Sequence, residues 1–410
     1  MNNKIKAAVA GAVLASASVA NAGITWDAGE WTVDMNGNVN AFAIFADNKD
    51  SGTQIAGGLA NTSTGQKNSE NTSISTGLLP SWLGFTATTR QNDLDTSVTI
   101  SFQPGAGGNQ ALKGGGNTEN RQAFLTFGDK SWGSVKVGKD LGIFGSTAIL
   151  NDMTLLGVGS NGAGTQHAGG ASGTTTTLGG IGTGYLYADW KGQIAYTTPN
   201  MNGLALTVGI TQPWNTTNLS TASATASGGS DMYAIEAQGS YSWTGDFAGK
   251  VWVGAFGQEV QNLTGANITG STDEDASAFE AGISTSIMNI GLVGYAYSGE
   301  GVGTTGMLSD GFSNDGKSRD SDGGYVQATY VIPMGTKLGV SYGISKLDDN
   351  ATDAGLNLVK QNERVTVGAY HPLTKHLNLV AEWSNVQSES NGPQSDLETN
   401  IVSVGAILFF

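Results

Sequence analysis

The sequence predicts an all-β fold: a transmembrane, antiparallel, up-and-down β-barrel of sixteen strands, with a long third loop folded into its bore. Three observations carry this expectation. Apolar and polar residues alternate over eight or more positions in segment after segment, which marks strands with two different faces. The joints between these segments come in two lengths that alternate along the chain. Beyond residue 22 there is no run of 18 or more apolar residues, so no helix spans a membrane.

The alternation is read directly. Leu204, Leu206, Val208 and Ile210 alternate with Ala205, Thr207, Gly209 and Thr211. Over Asp231–Trp243, one face carries Tyr233, Ile235, Ala237, Gly239, Tyr241 and Trp243, and the other Glu236, Gln238, Ser240 and Ser242. Leu338, Val340, Tyr342 and Ile344 oppose Lys337, Gly339, Ser341, Gly343 and Ser345. Leu377, Leu379, Ala381 and Trp383 oppose Asn378, Glu382 and Ser384. A soluble sandwich would alternate as well. Here the polar face reads as small and hydrophilic in strand after strand, as a water-lined lumen requires. Aromatics such as Trp132, Trp243 and Phe410 stand at strand ends, as in the girdles at a membrane interface.

Short turns fall at Asn92–Asp95, Gly128–Gly133, Pro199–Gly203, Thr244–Gly249, Met288–Asn289, Pro333–Gly335 and Pro372–His376. Long polar segments fall near 48–77, 103–119, 140–184, 213–230, 261–275, 299–322, 347–359 and 387–395. Seven short and eight long joints connect sixteen strands and leave both termini on the short-turn side. Short periplasmic turns, long outer loops and an even strand number describe an outer-membrane barrel. Each candidate strand supplies the ~9–11 residues that a tilted spanning strand needs. The third long segment, after Arg121–Phe127 and Ser134–Lys139, is rich in Gly, Thr and Ser. Connections of such length are uncommon unless functional or disordered.

Residues 1–22 read as a signal peptide: Lys4 and Lys6 precede the apolar Ala7–Ala17, and Ala20-Asn21-Ala22 forms a cleavage site. The expected product, 23–410, is one barrel domain. Removing two lysines takes the formal charge from −15 to −17. The absence of cysteine excludes a disulfide scaffold and zinc–thiolate sites. The acidic balance argues against nucleic acid as a partner, since phosphate binding needs a basic face. No cofactor is implied.

Asn120-Arg121-Gln122-Ala123-Phe124, then Gly128, then Trp132-Gly133-Ser134-Val135-Lys136-Val137-Gly138-Lys139, resembles the fourth and fifth strands of the Gram-negative general porins. Ser81-Trp82-Leu83-Gly84-Phe85 resembles their second strand. Ile194-Ala195-Tyr196-Thr197-Thr198-Pro199, with Gly203-Leu204, resembles the sixth strand, its turn and the seventh. Asn151-Asp152-Met153 stands where that family's third loop bends inward. The resemblance implies a homotrimer in outer-membrane lipid that passes small hydrophilic solutes and ions by passive diffusion. The final strand places Val402, Val404, Ala406, Leu408 and Phe410 on one face, and a terminal Phe of this kind implies delivery by the barrel-assembly machinery. The chain departs from the pattern twice. Trp82 replaces a pore-facing arginine, and Thr154-Leu155-Leu156-Gly157-Val158-Gly159 replaces the acidic part of the constriction loop.

Selection in such a channel rests on charges in a narrow bore. Alternation turns the cations Arg90, Arg121, Lys136, Lys191 and Arg364 and the anions Glu236, Glu280 and Glu382 to the lumen, and Asp152 and Asp140 are the candidate anions of the loop. Arg121 is the leading candidate, because alternation and motif agree on it. The balance predicts weak cation preference or little preference. Two other functions lack the residues they need. A barrel lipase or protease needs a Ser/His or Asp/His constellation, which His167, His371 and His376 do not supply by placement. An adhesin solenoid needs a short internal repeat, and none is present. The expectation is a channel, not an enzyme. The acidic stretch Asp310–Asp322 fails the spacing of an EF-hand calcium loop and reads as a solvated loop.

Overall fold

The computed structural model describes residues 23–49, 55–60, 69–106, 118–161, 176–216, 223–226, 230–306, 308–353, 355–393 and 395–410. The expected signal peptide and His167 lie outside these described residues. The first strands are β1 (Ile24–Ala28), β2 (Trp31–Lys49), β3 (Ser69–Ser75), β4 (Trp82–Gln91), β5 (Leu94–Gln103), β6 (Glu119–Asp129) and β7 (Gly133–Leu141). A helix, α1 (Ser146–Asn151), and a 3₁₀ turn, Met153–Leu156, precede β8 (Trp190–Thr197) and β9 (Leu204–Thr211). Then come β10 (Thr225–Ala226), β11 (Ala234–Trp243), β12 (Phe247–Thr264), β13 (Thr272–Ile287), β14 (Ile290–Glu300) and β15 (Asp320–Val331). The last are β16 (Lys337–Leu347), β17 (Val359–Pro372), β18 (Leu377–Ser390) and β19 (Leu397–Phe409).

Each strand pairs antiparallel with its neighbours, and β19 closes on β2 from Glu398↔Lys49 to Phe409↔Asn38. The wall therefore has sixteen positions. β3 and β4 share one, because both pair with the same edge of β2. β1 extends another: it takes up the edge of β2 at Met35, just past the end of β19. The two-residue β10 pairs with the outer end of β12. Closure leaves no open sheet edge, the only way for strands to cross hydrocarbon.

The alternation maps onto the two sides of this wall. Ile194, Leu204, Leu206, Ile235, Val340, Val367, Val402 and Val404 are exposed on the outside. Their neighbours in sequence face inward and are buried or half-buried. Two-residue turns suit the sharp reversals. Asn92 and Asp93 take φ of 48° and 62° between β4 and β5, the left-handed pair that matches strand twist.

Strands run further outward than the sequence implied. β3 lies within the segment read as the first long loop, and β12 continues to Thr264. Above the lipid a strand has no apolar face to maintain, so it carries no alternation to read.

The second wall position is broken at 76–81, where the chain detours inward. Pro80 has no N–H for a ladder. Side chains of β2 satisfy the displaced backbone instead: Asn38 Nδ2 donates to the Pro80 carbonyl at 2.8 Å, Asn40 Nδ2 to that of Leu79 at 3.0 Å, and the Gly77 amide donates to Asn40 Oδ1 at 2.9 Å. At the closure, Gly37 exchanges two backbone bonds with Phe410, at 2.9 and 3.0 Å. A Cβ on Gly37 would lie 2.2 Å from the Trp82 carbonyl oxygen and 2.8 Å from the Phe410 ring. Gly37→Val is expected to cost about 1–3 kcal/mol through overpacking. Heat-modifiability on gels should show the variant barrel unfolding at a lower temperature than wild type; an unchanged transition would contradict the tight closure.

Candidate functional site

The site is the barrel interior, and it is built on inward-facing residues of the wall. On β11 to β18 these are not uniformly small. Trp252, Phe256, Tyr295, Tyr297, Tyr325 and Tyr370 all turn inward and are buried. Trp252 stacks on Tyr295 at 6.3 Å, and Tyr295 meets Tyr325 at 5.7 Å. Gly282 makes room for them, since a Cβ there would fall 2.1 Å from the Trp252 ring. The expected inner face is mostly small and hydrophilic, and these six aromatics depart from it on β12 to β17.

What covers the aromatic bed is the described part of the chain between β7 and β8, residues 142–161 and 176–189. Phe144 packs on Phe256 at 6.2 Å and Tyr185 on Tyr325 at 5.7 Å. Wall side chains then capture the segment's backbone. Glu236 Oε2 accepts from the Ile143 amide at 2.7 Å and the Phe144 amide at 2.9 Å. Glu280 Oε2 accepts from Gly145 at 3.1 Å and from the Tyr295 hydroxyl at 2.9 Å. Glu382 Oε2 accepts from Val158 at 2.7 Å and Gly159 at 2.9 Å, and its Oε1 accepts from Tyr370 at 2.6 Å. Gln327 accepts from Met153 at 2.7 Å, Tyr325 donates to the Ala148 carbonyl at 2.8 Å, and Ser345 accepts from Gly184 at 2.9 Å.

The three glutamates expected as lumen anions thus face inward but are covered, at 0%, 4% and 5% exposure for Glu236, Glu280 and Glu382. Asp152, also buried, braces the segment from within: it accepts from Thr154 and Gly180, both at 2.9 Å, and from Tyr185 at 2.8 Å. Arg364 lies 3.9 Å from Asp152 and donates to Thr183 Oγ1 at 3.1 Å. Lys191 ion-pairs with Glu236 and sits 5.0 Å over the Trp214 ring. Asp140 pairs with Lys136 and accepts from Gln122 at 3.0 Å.

Arg121 reaches the interior by a route that alternation does not give. Ser97, Thr99 and Ser101 face in opposite Thr126, Phe124 and Gln122, so strict alternation would turn Arg121 outward with exposed Leu125. The register shift between Ser101 and Gln103 brings it inside. Its amide donates to Gln103 Oε1 at 2.9 Å, its Nε bonds Glu119 at 2.8 Å, and its guanidinium lies 5.9 Å over Trp190. Beside it, Arg121 Nη1 lies 3.5 Å from the hydroxyl of half-buried Tyr187. Arg90 stands apart, near the turns, among Asp95 at 2.8 Å, Asp129 at 3.0 Å and Asp93 at 3.9 Å.

Among the described residues, the stretch Asp310–Asp322, expected as a solvated loop, is instead tied down by a buried ion pair. Arg319 grips Asp353 with two bonds of 2.8 Å and donates to the Asp310 carbonyl at 2.7 Å. His371 bonds Thr336 at 3.0 Å. Among the described residues no group of three His, Cys, Asp or Glu side chains is placed to hold a metal ion.

A family model described as Gram-negative porin matches residues 7–391. No curated protein matches the chain. Among solved structures, the outer membrane channel DcaP of Acinetobacter baumannii is similar at TM-score 0.68 and 16% identity, over 95% of this chain and 100% of that one. An anion-selective porin from Comamonas acidovorans is similar at 0.61 and 16%, over 93% and 100%. Salmonella typhi OmpF, solved with daunomycin, is similar at 0.60 and 15%, over 94% and 100%.

Glu382→Ala leaves two buried amides without an acceptor, at about 1–3 kcal/mol each. Single-channel traces of this variant are expected to flicker between sublevels, and those of Glu382→Gln, which keeps an acceptor oxygen, to flicker less. Quiet, wild-type traces from Glu382→Ala would refute the anchoring role.

Proposed function

The chain belongs to the Gram-negative porin family, and from that premise we propose how its outer-membrane channel is narrowed and held. The protein is an outer-membrane porin for passive diffusion of small hydrophilic solutes and ions. Family and fold point to a channel rather than an enzyme. The proposal is that residues 142–161 and 176–189 form the constriction: they lie against the β11–β18 side and leave the water path along the β2–β8 side. The observation that carries it is the seating of five loop amides, in the runs 143–145 and 158–159, on Glu236, Glu280 and Glu382.

At the level of this segment, the proposed pore charges Arg121, Lys136, Lys191 and Arg364 each face a carboxylate, on Glu119, Asp140, Glu236 and Asp152. Paired charges present little net field to a passing ion, which supports weak selectivity. The proposal extends to a homotrimer in outer-membrane lipid, to cleavage near Ala22 during export, and to delivery by the barrel-assembly machinery through Phe410. Purified protein added to planar bilayers is expected to raise the conductance in large, stable steps, with a reversal potential near zero in a salt gradient. Bilayers that stay sealed at every protein concentration would overturn the channel reading. A strongly anion-selective reversal potential would overturn the charge pairing.

A further inference from the structure

A second segment enters the bore, from the connection between β2 and β3. Asn362 and Ser388 face each other across β17 and β18, on the inward side, two positions outward of Arg364 along β17. An inward amide and hydroxyl at this level would ordinarily meet water. Both are instead fully buried, because residues 55–60 sit on them. The Leu59 amide donates to Asn362 Oδ1 at 3.0 Å and to Ser388 Oγ at 2.9 Å, and the Ala60 amide to Ser388 Oγ at 3.0 Å. Asn362 Nδ2 donates to the Gly57 carbonyl at 3.0 Å, and Ser388 Oγ to Asn362 Oδ1 at 2.6 Å. The Ala56 amide donates to the Asn357 carbonyl at 3.0 Å, and the Ala56 carbonyl accepts from Val359 at 2.9 Å.

These bonds satisfy a backbone that has no strand partner at 57–60, and apolar burial goes with them. Ile55, Leu59 and Ala60 are buried in the same cluster as Leu178, Ile181 and Leu358. Three loops meet at Gly182, where a Cβ would fall 2.7 Å from Thr305 Oγ1 and 2.9 Å from Leu59 Cδ1. Thr305 lies between β14 and β15, and its carbonyl accepts from the Tyr187 amide at 2.9 Å. Gly182 adjoins Thr183, which accepts from Arg364. Residues 55–60 therefore pack directly on the outer side of the constricting segment. Strands rise ~3.3 Å per residue, so the step from Arg364 to Asn362 is one layer of about 7 Å, and residues 55–60 fill it.

We propose that residues 55–60 are a latch that sets the size limit of the channel from its outer side. This rests on the channel reading above. Held by Asn362 and Ser388, the latch occupies the bore above residues 176–189 on the β17–β18 side and holds Gly182 down. Asn362 and Ser388 are positioning residues, since they act on a solute only through the segment they hold. Residues 55–60 are Ile, Ala, Gly, Gly, Leu and Ala, and carry no charge. Releasing them thus changes which sizes of solute enter and leaves the preference between cations and anions as it was.

The test is exclusion of polyethylene glycols of graded mass from single channels in planar bilayers. A polymer that the wild type excludes is expected to enter Asn362→Ala/Ser388→Ala and lower its conductance, with the reversal potential in a salt gradient unmoved. The chain has no cysteine, so Gly58→Cys/Ser388→Cys gives a reversible second variant. A Cβ on Gly58 would lie 3.2 Å from Ser388 Cβ, a few tenths of an ångström short of the ~3.5–4.5 Å that a disulfide spans. Mild oxidant is expected to form the bridge in the folded protein. The reduced channel, which lacks the Ser388 hydroxyl, should admit the polymer, and oxidation should restore exclusion. Failure to form the bridge in conducting channels would overturn the seating of residues 55–60. The same polymer cut-off in the oxidised, reduced and alanine variants would overturn their part in the size limit. Both results leave the channel reading standing; a wild-type protein that forms no channel would remove that reading and the size limit with it, while the bridge would still report whether the segment is seated.

Discussion

Backbone amides seated on buried carboxylates are the interaction on which this interior depends. A glycine-rich segment without a ladder of its own must place its N–H groups somewhere, and ordering it costs conformational entropy residue by residue. Buried carboxylates have the complementary problem, being costly unless several donors surround them. Each solves the other. Glu236 takes Ile143, Phe144 and Lys191; Glu280 takes Gly145 and two side chains; Glu382 takes Val158, Gly159 and Tyr370.

The aromatic bed and the carboxylates act together. The rings of Trp252, Tyr295 and Tyr325 bury apolar area against Phe144 and Tyr185, which favours contact without fixing a geometry. The hydrogen bonds fix the geometry. Because both features lie on β11 to β18, the segment is drawn to one side, and the opposite wall keeps the hydroxyls of Thr86, Ser97, Thr99 and Thr126. On the proposed reading, this one-sided seating sets the width of the path, and the pairing of charges near the segment leaves little field there.

The barrel was legible because lipid imposes a readable rule: Leu204, Leu206, Val208 and Ile210 must all be apolar to face it. The joint lengths then give the strand number. The interior obeys no comparable rule, since either a water-facing serine or a covered tryptophan satisfies an inward position, depending on what crosses the bore. That is why Trp252 and Tyr295 were missed and why Glu236, Glu280 and Glu382 read as pore anions. Strict alternation puts Arg121 in phase with outward Leu125, and only the register shift between Ser101 and Gln103 turns it inside, which the pattern of the sequence does not show. The outer Arg319–Asp353 pair carried none, because it joins loops whose proximity only the closed barrel creates.

Amide hydrogen exchange on the folded, detergent-purified protein tests the central claim most directly. If wall carboxylates hold the segment, the amides of Ile143, Phe144, Gly145, Val158 and Gly159 will exchange as slowly as those of the barrel strands, although they belong to no strand or helix. Exchange at the rate of an open loop would show that the segment is not seated on Glu236, Glu280 and Glu382, and the account of the constriction would fall with it.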